Sequence, residues 1–411
     1  MSMTPINILW MIDHVCYDGS LHGGGRLFWN VLNQFDPEEV RIVPCMLRAN
    51  EALRNLFKDA PVPVRILDKG KFDPTTLGAF LQIIREENIH VMHLHCYASS
   101  TFGRLAGLIA GIPTIIHDYD TEVYFPYPSY LKLADRLLAP ATEGAIAASP
   151  MVKQFLMEKR QISEHKIRMM FHAIPEEKFK PAPPEKTQPL RRQLGLADNA
   201  QILGTVTKLG PQRGNEFLIE SFSEIVKAKP DCALVLIYQL TRFHRLPSKK
   251  YVEISQADLD SSVHELRSLS QKLGIADKVH LIEWPKNLDD WASLFDVFIA
   301  PFLSDRFSSV HLLEAMAKGQ PVIATDLGEA KKIVQNGWNG YLISPKDREA
   351  LVEKTLKILQ SADSLAAFST QAKREAARYS TQTYVRLLQD WYFELAMVQS
   401  AQSRSLAEVA K

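Results

Sequence analysis

The sequence predicts an α/β protein made of two domains, each built on a doubly wound parallel sheet. Three observations carry this expectation. Short apolar runs of strand type alternate with helix-length stretches along most of the chain, which is the pattern of βαβ units. The alternation breaks at Lys180–Pro189 (KPAPPEKTQP), a proline-rich, charged stretch that reads as an interdomain linker. The 411 residues suffice for two or three ordinary domains.

Before that break the strand-type runs are Ile6–Ile12, Val40–Leu47, Val64–Leu67, His90–His95, Thr114–His117, Gly144–Ala148 and Ile167–Phe171. Helical stretches such as Gly25–Gln34 and Pro74–Glu87 lie between them, giving an expected first domain over residues 1–180. The second domain, expected over 190–380, repeats the alternation with Gln201–Thr207, Ala233–Tyr238, Val279–Ile282, Val297–Ala300, Pro321–Thr325 and Gly340–Ile343. Leu240–Ser255 interrupts it with a basic, aromatic stretch that reads as an inserted loop, either solvated or facing an acidic acceptor. Helices are expected over Ser364–Ala377 and across 383–397. The last has an apolar face of helical spacing: Tyr384, Leu387, Leu388, Trp391, Tyr392 and Leu395.

The composition is that of a soluble globular protein, 46% hydrophobic and 23% charged. A formal net charge of +1 gives no general reason to expect nucleic acid or an anionic membrane as partner. Cys16, Cys45, Cys96 and Cys232 are scattered without metal-ligand spacing and read as reduced thiols of a cytoplasmic protein. Ile6–Ile12 lacks a basic n-region and ends at Asp13, so it reads as a first strand and not a signal peptide. Leu105–Ile116 is too short and too broken by Gly and Pro to span a bilayer.

The most informative stretch is Ser304–Pro345. Ser308 and Ser309 are good N-cap residues, Val310–Lys318 is helix-forming, and Gly319 sits at a C′ position. Strand-type Pro321–Thr325, a short helix over Glu329–Gln335 and the turns Asn336-Gly337 and Asn339-Gly340 follow. A helix start favours phosphate. Glu314 lies roughly 7–8 Å along the axis at ~1.5 Å per residue, where the ribose of a bound nucleotide would offer two hydroxyls to its carboxylate. The plainer alternative is an ordinary helix with a solvated Glu.

The residues Leu313-Glu314-Ala315-Met316-Ala317, Gly319, Pro321–Asp326, Gly328, Ile333-Val334 and Asn339-Gly340 resemble, in register, the signature of the retaining glycosyltransferases of family four. The resemblance covers most of the chain and is strongest over Gln201–Pro345. It implies the GT-B fold: two Rossmann-like domains facing a cleft, with the final helix crossing back onto the first. It also implies retaining transfer of a sugar from a nucleoside diphosphate, such as a UDP- or GDP-sugar, to a hydroxyl of a carbohydrate or lipid-linked acceptor. No metal is expected.

The same resemblance assigns roles. Lys208, in Val206-Thr207-Lys208-Leu209, and Arg213, before Gly214, match the family's two phosphate-binding cations with their positions exchanged. Read alone, they are two solvated loop charges. The amides of Ser309 and Val310 would hold a phosphate and Glu314 the ribose. Gly23 and Gly24, in His22-Gly23-Gly24-Gly25, match the loop that faces the donor; by themselves they equally mark a tight turn. His117 would orient the sugar side, against the alternative of a core histidine. His93 and His95 share one strand face, whether for the site or for packing. Asp118-Tyr119-Asp120 spells the metal motif of the other transferase fold but stands in the wrong half for that role. Aromatics Tyr124–Tyr130 would line an acceptor site or touch lipid, which leaves a weak peripheral membrane contact open, or else form a packed loop with a few exposed rings.

The chain also departs from the signature. Eight residues before Glu314, where the family places a first Glu, stand Arg306 and its neighbour Asp305. A guanidinium accepts no hydrogen bond, so either Asp305 substitutes after a loop shift or the donor differs, in which case Arg306 is expected to select an anionic sugar such as a uronic acid. Phe307-Ser308-Ser309 replaces the glycine pair of that loop. Phe171–Pro175, Tyr238-Gln239-Leu240 and Glu283-Trp284 replace other family motifs, Trp284 standing where the family keeps glycine beside the nucleobase. A GT-B epimerase and a non-catalytic nucleotide-sugar-binding module are the competing readings.

Overall fold

The computed structural model describes residues 5–15, 23–58, 62–119, 129–240, 243–245, 251–253, 255–304 and 309–409. The chain folds as two compact units: residues 1–173 together with 381–411, and residues 174–380.

The first unit holds a seven-stranded parallel sheet. Its strands are β1 (Ile6–Ile12), β2 (Val40–Met46), β3 (Arg65–Ile66), β4 (Val91–His95), β5 (Thr114–Asp118), β6 (Gly144–Ala147) and β7 (Ile167–Met169). Their order is β3-β2-β1-β4-β5-β6-β7, so the winding reverses between β1 and β4. Every residue of β4, β5 and β6 is buried, as expected of strands covered on both faces by helices. The parallel register sets Trp10 beside His93, Ile12 beside His95 and His95 beside His117.

The second unit holds a six-stranded parallel sheet and a separate two-stranded one. The strands are β8 (Gln201–Lys208), β9 (Cys232–Gln239), β10 (Phe243–Arg245), β11 (Tyr251–Glu253), β12 (Val279–Glu283), β13 (Val297–Ala300), β14 (Val322–Thr325) and β15 (Gly340–Ile343). The order β12-β9-β8-β13-β14-β15 reverses between β8 and β13. Loops leaving the carboxyl ends at such a reversal diverge and leave a crevice for ligands.

Three expectations need correction. Lys180–Pro189 is no linker: the units divide at Ala173 and Ile174, and residues Pro184–Gln193 form a helix of the second unit. Pro184 stands in the first helical turn, whose N–H groups have no intrahelical partner, while Pro189 falls inside the helix. Leu190, Leu194 and Leu196 then pack on the second unit's core. The stretch after Leu240 is not simply a loop, because β10 and β11 pair antiparallel. The final helix runs Thr381–Val409, well beyond 397. Its Tyr384, Val385, Leu388, Trp391 and Tyr392 join the core of the first unit around Trp10 and Phe28. Among the described residues no helix is long and apolar enough to cross a membrane.

Candidate functional site

In the second unit, β8 ends at Lys208 and a 3-10 turn follows at Pro211–Arg213. Gly214 has φ +70°, and a Cβ there would lie 1.9 Å from the Pro301 carbonyl oxygen, so only glycine fits. The Leu303 N–H donates to the Gln212 carbonyl at 2.9 Å. These contacts clamp the loop after β8 against the loop after β13, at the reversal of the sheet. Lys208 ends the strand and Arg213 ends the 3-10 turn of the first of these loops. The Lys208 carbonyl accepts from Asn215 Nδ2 at 3.1 Å. The Arg213 guanidinium stands 5.8 Å from the centre of the Phe302 ring. Burial lowers its pKa to about 10, which leaves it cationic at neutral pH.

The helix Val310–Ala317 starts beyond this loop. The Ser309 amide, expected to hold a phosphate, donates here to Glu329 Oε2 at 3.0 Å. Glu329 is buried, which raises its pKa to about 7 against the opposing hydrogen bonds from Ser309. The helix mouth therefore holds a carboxylate from the loop after β14. Sequence reasoning missed it, although the signal was present: the signature's glycine pair after Asp326 reads Gly328-Glu329. A small recess adjoins the mouth, lined by Phe302, Ser304, Ser309, Thr325, Leu327 and Gly328 among others.

Glu314 occupies the next turn of that helix, its side chain 16% exposed. It accepts from His311 Nδ1 at 3.0 Å and has Lys178 Nζ at 3.9 Å. Burial acts to raise its pKa. The His311 hydrogen bond and the charges of His311, Lys178 and Lys318 outweigh it, and the value falls to about 2. Lys318 also reaches Asp289 at 3.2 Å, and Lys178 contacts the same carboxylate. Glu314, His311, Lys318, Asp289 and Val206 help to line a second small recess. The Trp284 N–H donates to the Tyr238 carbonyl at 2.8 Å. Its ring stands 5.7 Å from that of His311, so the predicted Trp284 and Glu314 are joined through a histidine that the sequence did not single out. Arg306 and Asp305 lie outside the described residues, as do Ser308, His22, Asp120 and the aromatics at 124–128.

In the first unit, the helix Gly23–Leu32 begins at the glycine loop. A Cβ on Gly24 would stand 2.7 Å from the Tyr119 ring, and one on Gly25 would stand 2.3 Å from the Val15 carbonyl. Both glycines are thus required by the chain's own packing. His117, next to last in β5, is 1% exposed and stands beside His93 and His95, which are equally buried. Burial lowers all three pKa values, that of His95 to about 3 and the others well below the usual histidine range, so all are neutral at physiological pH. Their candidate ligand atoms lie within 4.8 Å of one another, a spacing that raises the question of a metal. The His93 and His95 rings, however, stack at 4.2 Å and 23°. Imidazole lone pairs lie in the ring plane, so those of stacked rings run side by side and do not converge on an ion.

Below them a salt-bridge network is wholly buried: Arg160 pairs with Asp118 at 2.9 Å and with Asp135 at 3.0 Å, and Arg104 pairs with Asp135. Asp13, at the end of β1, accepts the Ala98 and Ser99 amides at 2.9 and 2.7 Å, capping the helix Tyr97–Ala110. That helix start is occupied by the chain's own acid.

The family model "Glycosyltransferase Family 4" matches residues 22–178, and "Glycosyl transferases group 1" matches residues 186–375. A D-inositol 3-phosphate glycosyltransferase of Thermobispora bispora is 26% identical over 352 residues, covering 81% of this chain and 78% of its own length. The Escherichia coli UDP-Gal:alpha-D-GlcNAc-diphosphoundecaprenol alpha-1,3-galactosyltransferase is 21% identical over 295 residues, 70% of each chain. Among solved structures, a glycosyltransferase from Rickettsia africae superposes with a TM-score of 0.75 at 17% identity, covering 96% of this chain and 99% of that one. Anabaena HepE in complex with UDP superposes with a TM-score of 0.73 at 18% identity, covering 95% and 100%. With two reversed parallel sheets and both family models matched in sequence order, this chain belongs to the family-four, group 1 glycosyltransferases of GT-B fold.

Proposed function

We propose that the enzyme transfers a sugar, with retention at the anomeric carbon, from a nucleoside-diphosphate-sugar to a hydroxyl of a carbohydrate or lipid-linked acceptor. Its product would serve polysaccharide, glycolipid or glycoconjugate assembly in the cytoplasm. The observation that carries the reading is Glu314: a carboxylate in a recess one turn into a helix, kept ionised, is suited to accept from both hydroxyls of a ribose. Lys208 and Arg213 take the diphosphate and neutralise it as the glycosidic bond breaks, so the leaving group gains its countercharge without a metal; the Ser309 amide joins them only when Glu329 releases it. Trp284 flanks the nucleobase, Gly23 and Gly24 close on the donor, and His117 acts on the sugar. Arg306 pairs with an anionic sugar. The Escherichia coli relative, whose name gives a diphosphoundecaprenol-linked acceptor, supports the lipid-linked class.

A panel of UDP- and GDP-sugars, neutral and uronic, tests the reading by calorimetric binding and by nucleotide release with extracted lipid-linked acceptors. The product anomer is then read by NMR. Binding of one sugar nucleotide that Glu314→Ala abolishes is the expected result. Equal binding by the variant, or an inverted anomer, refutes the corresponding part. Preference for neutral sugars that Arg306→Ala leaves unchanged removes the anionic-donor proposal.

A further inference from the structure

The hydroxyl of Tyr392 stands 2.8 Å from Trp10 Nε1 and 2.5 Å from His93 Nδ1. On the far side of the same imidazole, His93 Nε2 is 3.2 Å from His117 Nδ1. The two imidazole planes differ by 11°, which suits a hydrogen bond lying in the ring planes. Trp10, His93, His117 and Tyr392 are all at most 1% exposed, so no bulk water is present to satisfy a misplaced hydrogen.

The direction of this chain follows from its first member. An indole N–H only donates, so the Tyr392 oxygen accepts from Trp10. The tyrosine hydrogen then goes to His93 Nδ1. A neutral imidazole carries one N–H; with Nδ1 accepting, the His93 hydrogen is on Nε2 and donates to His117 Nδ1. The same step puts the His117 hydrogen on its own Nε2, a buried atom with no partner among the described residues. In the opposite polarity the Tyr392 oxygen would accept twice, leaving its own hydrogen without an acceptor among the described residues. The opposite polarity would thus leave two buried groups unpaired, the Tyr392 hydrogen and a bare His117 Nε2 acceptor, against the single His117 Nε2–H of the first, and each such group is costly.

We propose that Tyr392, acting through His93, is a positioning residue that holds His117 as the neutral Nε2–H tautomer, so that His117 meets the sugar as a hydrogen-bond donor and not as a base. The tautomer stands on the geometry alone; its use on a sugar rests on the function proposed above.

NMR of the full-length protein labelled with ¹⁵N-histidine distinguishes the tautomers through the one-bond and two-bond couplings of the ring nitrogens. The expected wild-type result is a His117 spectrum with the hydrogen on Nε2. In Tyr392→Phe the His117 nitrogen signals shift toward the Nδ1–H form. In His93→Gln, whose amide can accept on one side and donate on the other, they stay near wild type, whereas in His93→Met they shift. The His93 pair keeps the proposal testable if Tyr392→Phe fails to fold. Wild-type His117 protonated on Nδ1, or Tyr392→Phe and His93→Met that leave its signals unmoved, overturns the proposal. A confirmed tautomer together with His117→Ala that keeps full sugar transfer leaves the polarity standing and removes the role read for His117.

Discussion

Replacing Glu314 by Gln keeps the size of the side chain and removes its charge. Glu314 Oε2 is engaged by His311 at 3.0 Å, while Oε1 has Lys178 at 3.9 Å, beyond hydrogen-bond distance, so the carboxylate retains acceptor capacity for a ligand. A hydrogen bond to a charged group contributes about 1.5–3 kcal/mol, so one lost ribose contact weakens nucleoside-diphosphate binding roughly 10- to 100-fold. The decisive assay is a cycle of calorimetric dissociation constants for wild type and Glu314→Gln, each with the best-binding nucleoside diphosphate and its 2′-deoxy analogue. Wild type discriminates against the deoxy ligand by about tenfold, and the variant by less than about twofold. Equal discrimination in both proteins would refute the ribose assignment, whatever the variant does to overall affinity. The second arm is stability. The fall of the Glu314 pKa from 4.5 to about 2 corresponds to about 3 kcal/mol. Because the folded value is depressed, that stability is present above pH 4.5 and is lost as pH falls toward 2. Denaturant unfolding should therefore separate wild type from Glu314→Gln at pH 7, with the gap closing at acid pH.

Other outcomes follow from the same geometry. Glu329 has the opposite sign: its folded pKa, raised from 4.5 to about 7, makes its contribution complete below pH 4.5 and costs up to about 3 kcal/mol as pH rises to 7. Glu329→Gln should abolish this loss in unfolding curves taken at pH 5 and pH 8, and parallel curves for the two proteins would count against the assignment. Arg213→Met should weaken a nucleoside diphosphate more than the corresponding monophosphate, measured by calorimetry; an equal loss would place Arg213 away from the phosphates. Gly214→Ala combines positive φ with a clash on Pro301 and should cost on the order of 1–3 kcal/mol in thermal unfolding while reducing nucleotide affinity. Arg160→Met leaves Asp118 without its 2.9 Å partner in a wholly buried site and should destabilise the protein by about 3–5 kcal/mol in urea.

The sequence made legible whatever depends on local periodicity. Buried parallel strands are apolar almost throughout, so Leu203–Val206 and Val297–Ala300 announced themselves. The helix after Ser309 was equally readable, and helix rise alone separates Glu314 from the helix mouth. Lys180–Pro189 misled for the converse reason: proline and charge report local backbone preference, while the leucines that dock this segment find their partners in distant strands. The same limit hid the environment of each site residue. Glu314 looked like a solitary acid, yet its pKa depends on Lys178, from a remote segment, and on His311, one turn back on its own helix.

His117 looked like a choice between core packing and chemistry, and its surroundings bear on both. It is as buried as any core residue, and it is also the end of a polar chain that starts at β1 and passes through the last helix of the protein. In such a place the polarity that leaves the fewest groups unpaired is favoured, and it is set by the most restricted member, the Trp10 indole. The chemical character of His117 is therefore fixed by residues far from it in sequence, and no motif centred on residue 117 could have revealed it.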